Sequence, residues 1–169
     1  MAKKKNQLKL VTLPAENLRE PSKKLKFPLP PETERIIAEM IRVCRKYDGI
    51  GLAAPQVGLN IQLVIINLEE YGVKPFPLVN PEIKKYSGKK IELEEGCLSI
   101  PGKFHPLTRS ESIDVKAYSL NGKLLEFKAD GLLARVIQHE VDHIQGKLFI
   151  DHLDKKAREE LIKDFGAKA

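Results

Sequence analysis

The chain has 169 residues, 42% of them hydrophobic and 31% charged, with a net charge of +6 and a mean hydropathy of −0.29. This balance fits one ordinary globular domain over 1–169 with room for a core. It excludes a disulfide scaffold, and no apolar run approaches a membrane span. Residues 1–26 hold eight Lys/Arg against Glu16 and Glu20, so the charge excess sits at one end. Residues 1–7 read as a disordered basic tail without interleaved aromatics, so no specific nucleic-acid site is expected. No apolar segment follows the N-terminal lysines as an export signal would, so the expected compartment is the cytoplasm, with Cys44 and Cys97 reduced.

In chain order, Leu8–Val11 is a short strand candidate, and Pro14 to Pro31 reads as an extended, irregular arm. Thr33 to Tyr47 has Ile37, Met40, Ile41 and Cys44 at helical spacing, which places Cys44 in a core stripe. Gly49 to Gln56 is a loop of small residues that lets another backbone or a ligand approach closely. It lacks the glycine spacing and the Lys-Ser/Thr ending of a phosphate loop. Ile61–Ile66 is a buried strand, and Pro77–Asn80 with Glu82-Ile83 a second. Ser87-Gly88 predicts a hairpin into the alternating strand Ile91–Glu94. Ser112–Tyr118 also alternates, and Asn121-Gly122 returns it as Leu124–Phe127. A helix spans about Gly131 to Gln145 and stops at Gly146, and a last helix runs from Asp154 to about Phe165. Antiparallel strands around a central helix, with an N-terminal and a C-terminal helix, give an α+β fold.

The central helix carries His139-Glu140-Val141-Asp142-His143. Residues four apart share a helix face, so both imidazoles can meet one metal, and Glu140 can handle the proton of a water held there. A solvated polar face is the bland alternative, but Val136, Ile137, Val141 and Ile144 surround the motif, and buried His and Glu without partners are costly.

A catalytic metal takes three protein ligands. The extended pattern with a third histidine fails, because Phe149 stands in its place and no methionine follows Met40. Glu159, Glu160 and His152 are downstream alternatives. The better candidate is Cys97, in Glu95-Gly96-Cys97-Leu98-Ser99 where a strand ends. It makes a Cys-His-His set suited to zinc or ferrous iron.

Gly49-Ile50-Gly51-Leu52-Ala53-Ala54-Pro55-Gln56, Glu95-Gly96-Cys97-Leu98-Ser99 and His139-Glu140-Val141-Asp142-His143 resemble, in order and spacing, the three signature motifs of peptide deformylases. The resemblance implies a cytoplasmic, metal-dependent hydrolase of protein biosynthesis. It removes the formyl group from N-formyl-methionyl nascent chains, which would place it near the ribosome but not in a membrane. It implies one divalent metal, Fe2+ in the cell and Zn2+ or Ni2+ in purified protein, on Cys97, His139 and His143, with Glu140 as general acid/base. Gln56 and the Leu98 amide would polarise the formyl oxygen, and Gly49, Ile50 and Gly51 would hold the peptide by main-chain bonds. Glu95 and Arg109 would brace the cysteine loop. Arg135 and Val136 would line the methionine pocket, with the Arg135 stem packed and its charge reaching water. His105 reads as rim or structure, and Phe104 stands near a place where some members carry a substrate-contacting arginine. A metallopeptidase cutting internal bonds, or a structural-metal or RNA-associated module using the basic end, are the rival readings.

Overall fold

The computed structural model describes residues 7–165, so the expected tail over 1–7 lies outside the described residues except for Gln7. Helix α1 (Thr33–Lys46) is followed by β1 (Gly51–Ala53), β2 (Leu63–Leu68), β3 (Val73–Tyr86), β4 (Lys90–Cys97), β5 (Ile100–Ser110), β6 (Ser112–Tyr118) and β7 (Leu124–Asp130). Helices α2 (Gly131–Ile144) and α3 (Lys155–Ile162) complete the chain. The α+β class stands. No helix among the described residues is long and apolar enough to cross a membrane.

The strands form an antiparallel sheet in the order β1-β2-β3-β6-β7 and a separate pair, β4-β5. Strand β2 is buried on both faces, which explains its unbroken apolar run. Leu63 and Ile65 pack with Ile37, Met40, Val43 and Cys44 of α1, while Val64 and Ile66 pack with Val136, Ile137 and Val141 of α2. The large sheet is thus a filling between two amphipathic helices, and α2 carries its histidines away from the sheet. A third cluster joins Leu13 and Leu18 of the arm to Cys97, Ile100, Leu148, Phe149 and Ile162.

Four expectations change. Leu8–Val11 is not a strand; its Val11 N–H goes to the Gln56 carbonyl at 2.7 Å, not to a ladder. Ser87-Gly88 does not return β3 onto β4, because β3 pairs with β6 and β4 pairs with β5; the turn carries the chain between sheets. Strand β1 emerges from the small-residue loop, with Gly51 opposite Ile66 in register. Strand β5 runs through Pro101 and Pro106, which an edge strand tolerates.

The arm is irregular as expected but not extended throughout, because Glu16–Arg19 forms a 3-10 turn, and it is tied down. Asn80 exchanges two side-chain hydrogen bonds with the Leu25 backbone at 2.8 and 2.9 Å, and Ser22 N–H reaches Ile144 O at 2.8 Å. Gly146 ends α2 with φ +74°, and a side chain there would strike the Arg19 carbonyl, so glycine is needed twice over.

Candidate metal centre and active site

Three elements converge. Helix α2 presents His139 and His143 one turn apart, and β4 ends on Cys97, which faces Ile100 across the tight turn Leu98-Ser99. Between that pair and Gly96–Phe104 the register slips, so Pro101, Gly102 and Lys103 loop out and leave the cysteine turn projecting toward α2. Cys97 Sγ lies 3.2 Å from His143 Nε2, and the two Nε2 atoms are 3.1 Å apart. One ligand atom from each of the three side chains falls within 4.8 Å of the others, all buried.

The alternatives for the third position lie elsewhere. His152 donates to the Asp142 carboxylate at 2.8 Å, and Glu159 and Glu160 pair with Lys155 and Lys163 on the surface. Phe149 is buried and its ring stacks on His139, centroids 6.5 Å apart. His105 is half-buried and turned to the Pro106 carbonyl.

The ring of His139 is fixed from behind: its Nδ1 meets Glu95 Oε1 at 2.6 Å, which directs the Nε2 lone pair into the site. Glu95 is itself enclosed. Arg109 grips it with Nε at 2.9 Å and Nη2 at 2.7 Å, and Arg135 Nη1 adds a contact at 3.0 Å. Burial works against the Glu95 charge, but hydrogen bonds from Arg109 and His139 hold its carboxyl well below the usual carboxylate range. The other Arg109 nitrogen reaches Asp142 at 2.8 Å, which continues the network to His152.

Arg135 is placed differently from the expectation. Its charge does not reach water: the guanidinium is buried and bonds Ile91 O at 2.7 Å and Leu107 O at 3.1 Å besides Glu95. It pins β4 and β5 to α2 from inside. A charged residue amid Leu132–Ile137 is a signal of a buried partner, but that partner lies 40 residues away in sequence and is not visible there.

Glu140 is 3% exposed, and its Oε2 has no hydrogen-bond partner. Burial pushes its carboxyl up to about 7. A Cβ on Gly51 would collide with Glu140 Oε1 and with Val136 Cγ1, so the bare glycine is what lets this carboxyl stand beside β1. Val136 is buried directly beneath that strand.

Gln56 sits in a 3-10 turn, Ala54–Val57. Its Oε1 accepts from Ala53 N–H at 2.8 Å, which turns Nε2 toward Cys97 Sγ (3.6 Å) and Ser99 Oγ (3.3 Å). Leu98 occupies the turn after Cys97, and its side chain packs against Gly49. The Gly49 carbonyl in turn receives Asn67 Nδ2 at 2.8 Å and Cys44 Sγ at 3.1 Å. Sequence reading placed Cys44 correctly in the core but did not find its contact with Gly49 or the part of Asn67 and Ser99.

The donor set fits a divalent cation. One thiol sulfur and two imidazole nitrogens at one point, two of those nitrogens nearly in contact, suit a borderline-soft metal and leave a face open beside Glu140. Burial opposes a charge on His139, yet hydrogen bonds to Cys97 and Glu95 pull its imidazole well above the ordinary value. The field that draws a proton there also draws a metal. His143 shifts the other way, lowered by burial and by His139.

Residues 7–159 match the family of polypeptide deformylases. A peptide deformylase of Hydrogenovibrio crunogenus is 44% identical over 163 residues, 95% of this chain and 94% of that protein. One from Prochlorococcus marinus is 41% identical over 95% of this chain and 81% of its own length. Among solved structures, a peptide deformylase from Synechococcus elongatus in complex with actinonin is 40% identical, with a TM-score of 0.87 over 99% of this chain and 92% of that one. The Legionella pneumophila enzyme is 36% identical, with a TM-score of 0.85 over 95% of each chain.

Proposed function

This chain belongs to the peptide deformylase family, and from that premise we propose how its side chains divide the work of removing the N-formyl group from the N-terminal formyl-methionine of newly made polypeptides, with release of formate. A divalent cation held by Cys97 Sγ, His139 Nε2 and His143 Nε2 would supply Lewis-acid polarisation and lower the pKa of water at the site.

The chain's own residues do the rest. Glu140, buried beside the two histidines with one oxygen unpartnered, takes the proton of the attacking water and hands it to the departing amine. The Gln56 Nε2 and the Leu98 N–H face the developing oxyanion, where two fixed donors count most. Strand β1 is the outermost strand of its sheet, and Gly51 at its start, with Gly49 and Ile50 just before it, receives the extended peptide as an added strand. Val136 forms the apolar floor for the methionine side chain. Glu95 and Arg109 hold His139 and the cysteine turn in place, and Arg135 serves this support from the pocket's back wall.

The three-atom convergence of Cys97, His139 and His143 with Glu140 buried alongside carries the reading. The finer assignments rest on chemistry. One thiolate with two imidazoles suits ferrous iron; that pairing is oxygen-sensitive, so protein prepared in air is expected to hold zinc or nickel instead. Residues 1–169 act as one catalytic domain, in the cytoplasm, where formylated chains leave the ribosome. Formate release from a formyl-Met tripeptide tests the function, with chelator abolishing it. Glu140→Gln is expected to keep its metal and lose at least ~100-fold in kcat. Normal turnover in that variant would overturn the role given to Glu140.

A further inference from the structure

The two groups assigned to the oxyanion sit on separate elements. Gln56 belongs to the 3-10 turn after β1, and Leu98 to the tight turn between β4 and β5, in the other sheet. Within the site they are linked by two long contacts of Gln56 Nε2, to Ser99 Oγ at 3.3 Å and to Cys97 Sγ at 3.6 Å. An oxyanion site works by fixed spacing of its donors, so something must hold these two turns at a constant distance.

The segment that leads into the arm, with the arm's first residues, provides that link from behind. Val11 N–H donates to the main-chain carbonyl of Gln56 itself at 2.7 Å, and two residues later Leu13 N–H donates to the carbonyl of Ser99 at 2.9 Å. Asn17 Nδ2 adds a bond to the Pro55 carbonyl at 2.8 Å, on the same turn as Gln56. Leu13 is 5% exposed and Leu18 fully buried, in the cluster that contains Cys97 and Ile100. The segment is therefore packed into the core on the side of the cysteine turn while its Val11 amide reaches across to the Gln56 turn. Three carbonyls, one from the residue carrying each side of the donor pair or its immediate neighbour, all end on one stretch of seven residues.

The geometry points to residues 11–17 as a positioning strap for the oxyanion site: the main-chain N–H groups of Val11 and Leu13 and the side-chain amide of Asn17 set the spacing between Gln56 Nε2 and the Leu98 N–H. This rests on the roles given above to Gln56 and Leu98. The strap touches neither substrate nor metal, so its loss changes donor spacing and leaves peptide binding and metal loading intact. An interaction that strengthens only in the transition state shows itself in kcat and not in KM.

The test removes the donors one at a time in the full-length, metal-loaded enzyme. Asn17→Leu deletes the side-chain amide. Replacing the Val11 or Leu13 amide by an ester deletes one N–H and keeps the side chain; a synthetic segment 1–43 can be joined to the remainder at Cys44. Each is assayed for formate release, bound metal and thermal midpoint, alone and combined with Gln56→Ala. The expected result is a fall in kcat of about 10-fold for each ester and about 3-fold for Asn17→Leu, with KM within about 2-fold and unchanged metal. In the Gln56→Ala background the Val11 and Asn17 effects shrink toward none, because a strap acting through Gln56 has nothing left to position. An unchanged kcat, or a loss that persists in full beside Gln56→Ala, overturns the strap. Should an ester protein fail to refold, Asn17→Leu with its Gln56→Ala partner decides alone. If the all-amide protein releases no formate, the function itself fails and the strap falls with it.

Discussion

His139 Nδ1 lies 2.6 Å from Glu95 Oε1, and the same carboxylate is held by Arg109 through two nitrogens and by Arg135 through one. A metal ligand is thus aimed by a residue from β4, two positions before another ligand. Glu95→Gln weakens that aim and leaves Arg109 without its counter-charge. We expect metal affinity to fall roughly 10- to 100-fold, read by competition with a chromogenic chelator. Unchanged affinity would show that His139 is oriented by other contacts.

The same carboxylate gives a pH signature. Its folded-state pKa is held below the unfolded value, so its charge stabilises the fold fully above about pH 4.3. That contribution is withdrawn as the pH falls from there through the folded-state pKa. Urea unfolding of metal-free protein between about pH 5 and pH 2 is expected to show stability dropping with acid, with a shallower slope in Glu95→Gln. Parallel curves would place the acid sensitivity on another group.

Arg135→Met removes three hydrogen bonds from a buried cation and one of the two guanidinium groups around Glu95. The stem volume is nearly kept, so the effect is on polar contacts. A loss of about 2–4 kcal/mol in unfolding free energy is expected, with KM for a formyl-Met peptide changed less than for Val136→Ala. The reverse pattern would return Arg135 to the substrate pocket.

Gly51→Ala puts a methyl where Glu140 Oε1 and Val136 Cγ1 stand. The carboxylate can swing away more cheaply than β1 can move, because β1 is fixed in register to β2. The expected outcome is a kcat at least ~10-fold lower, with metal content intact and about 1–3 kcal/mol lost in stability. A wild-type kcat would mean Glu140 has a second productive position.

Cys44 and Cys97 are separable by thiol titration. Burial pushes Cys44 up to about 12, and its Sγ is engaged with the Gly49 carbonyl. At pH 8 an aromatic disulfide reagent is expected to find no thiol in metal-loaded protein, one (Cys97) after chelation, and both only on unfolding. Rapid labelling of Cys44 in the native protein would contradict its burial.

What could be read from the sequence was local. Residues Thr33–Lys46, Ser112–Tyr118 and Gly131–Ile144 declare themselves by periodicity and by their end signals, and His139 and His143 fall on one face for the same reason. Strands β1 and β5 do not: Gly51-Leu52-Ala53 has loop composition, and Pro101, Gly102 and Pro106 look like turn chemistry. Both are strands because a partner supplies the ladder. Ser87-Gly88 misled because turn residues mark a reversal without naming the strand it leads to. Cys97 could be inferred from a deficit of one ligand, but its distance from His143 could not. The inward course of Arg135 escaped because each of its three acceptors is at least 28 residues away.

The arm has a consequence for the order in which the molecule can be built. Ser22 bonds to Ile144, and Arg19 lays its carbonyl against Gly146 and pairs with Asp151. Arg19 and Ser22 therefore find these partners only after residues 144–151 have been made. Contacts of such long sequence separation close late and slowly. A copy made as far as Ser110 has Cys97 but neither histidine, and a copy complete to His143 still lacks Ile144, Gly146 and Asp151, against which Ser22 and Arg19 pack. The centre is closed off late, when residues 19–22 meet residues 144–151.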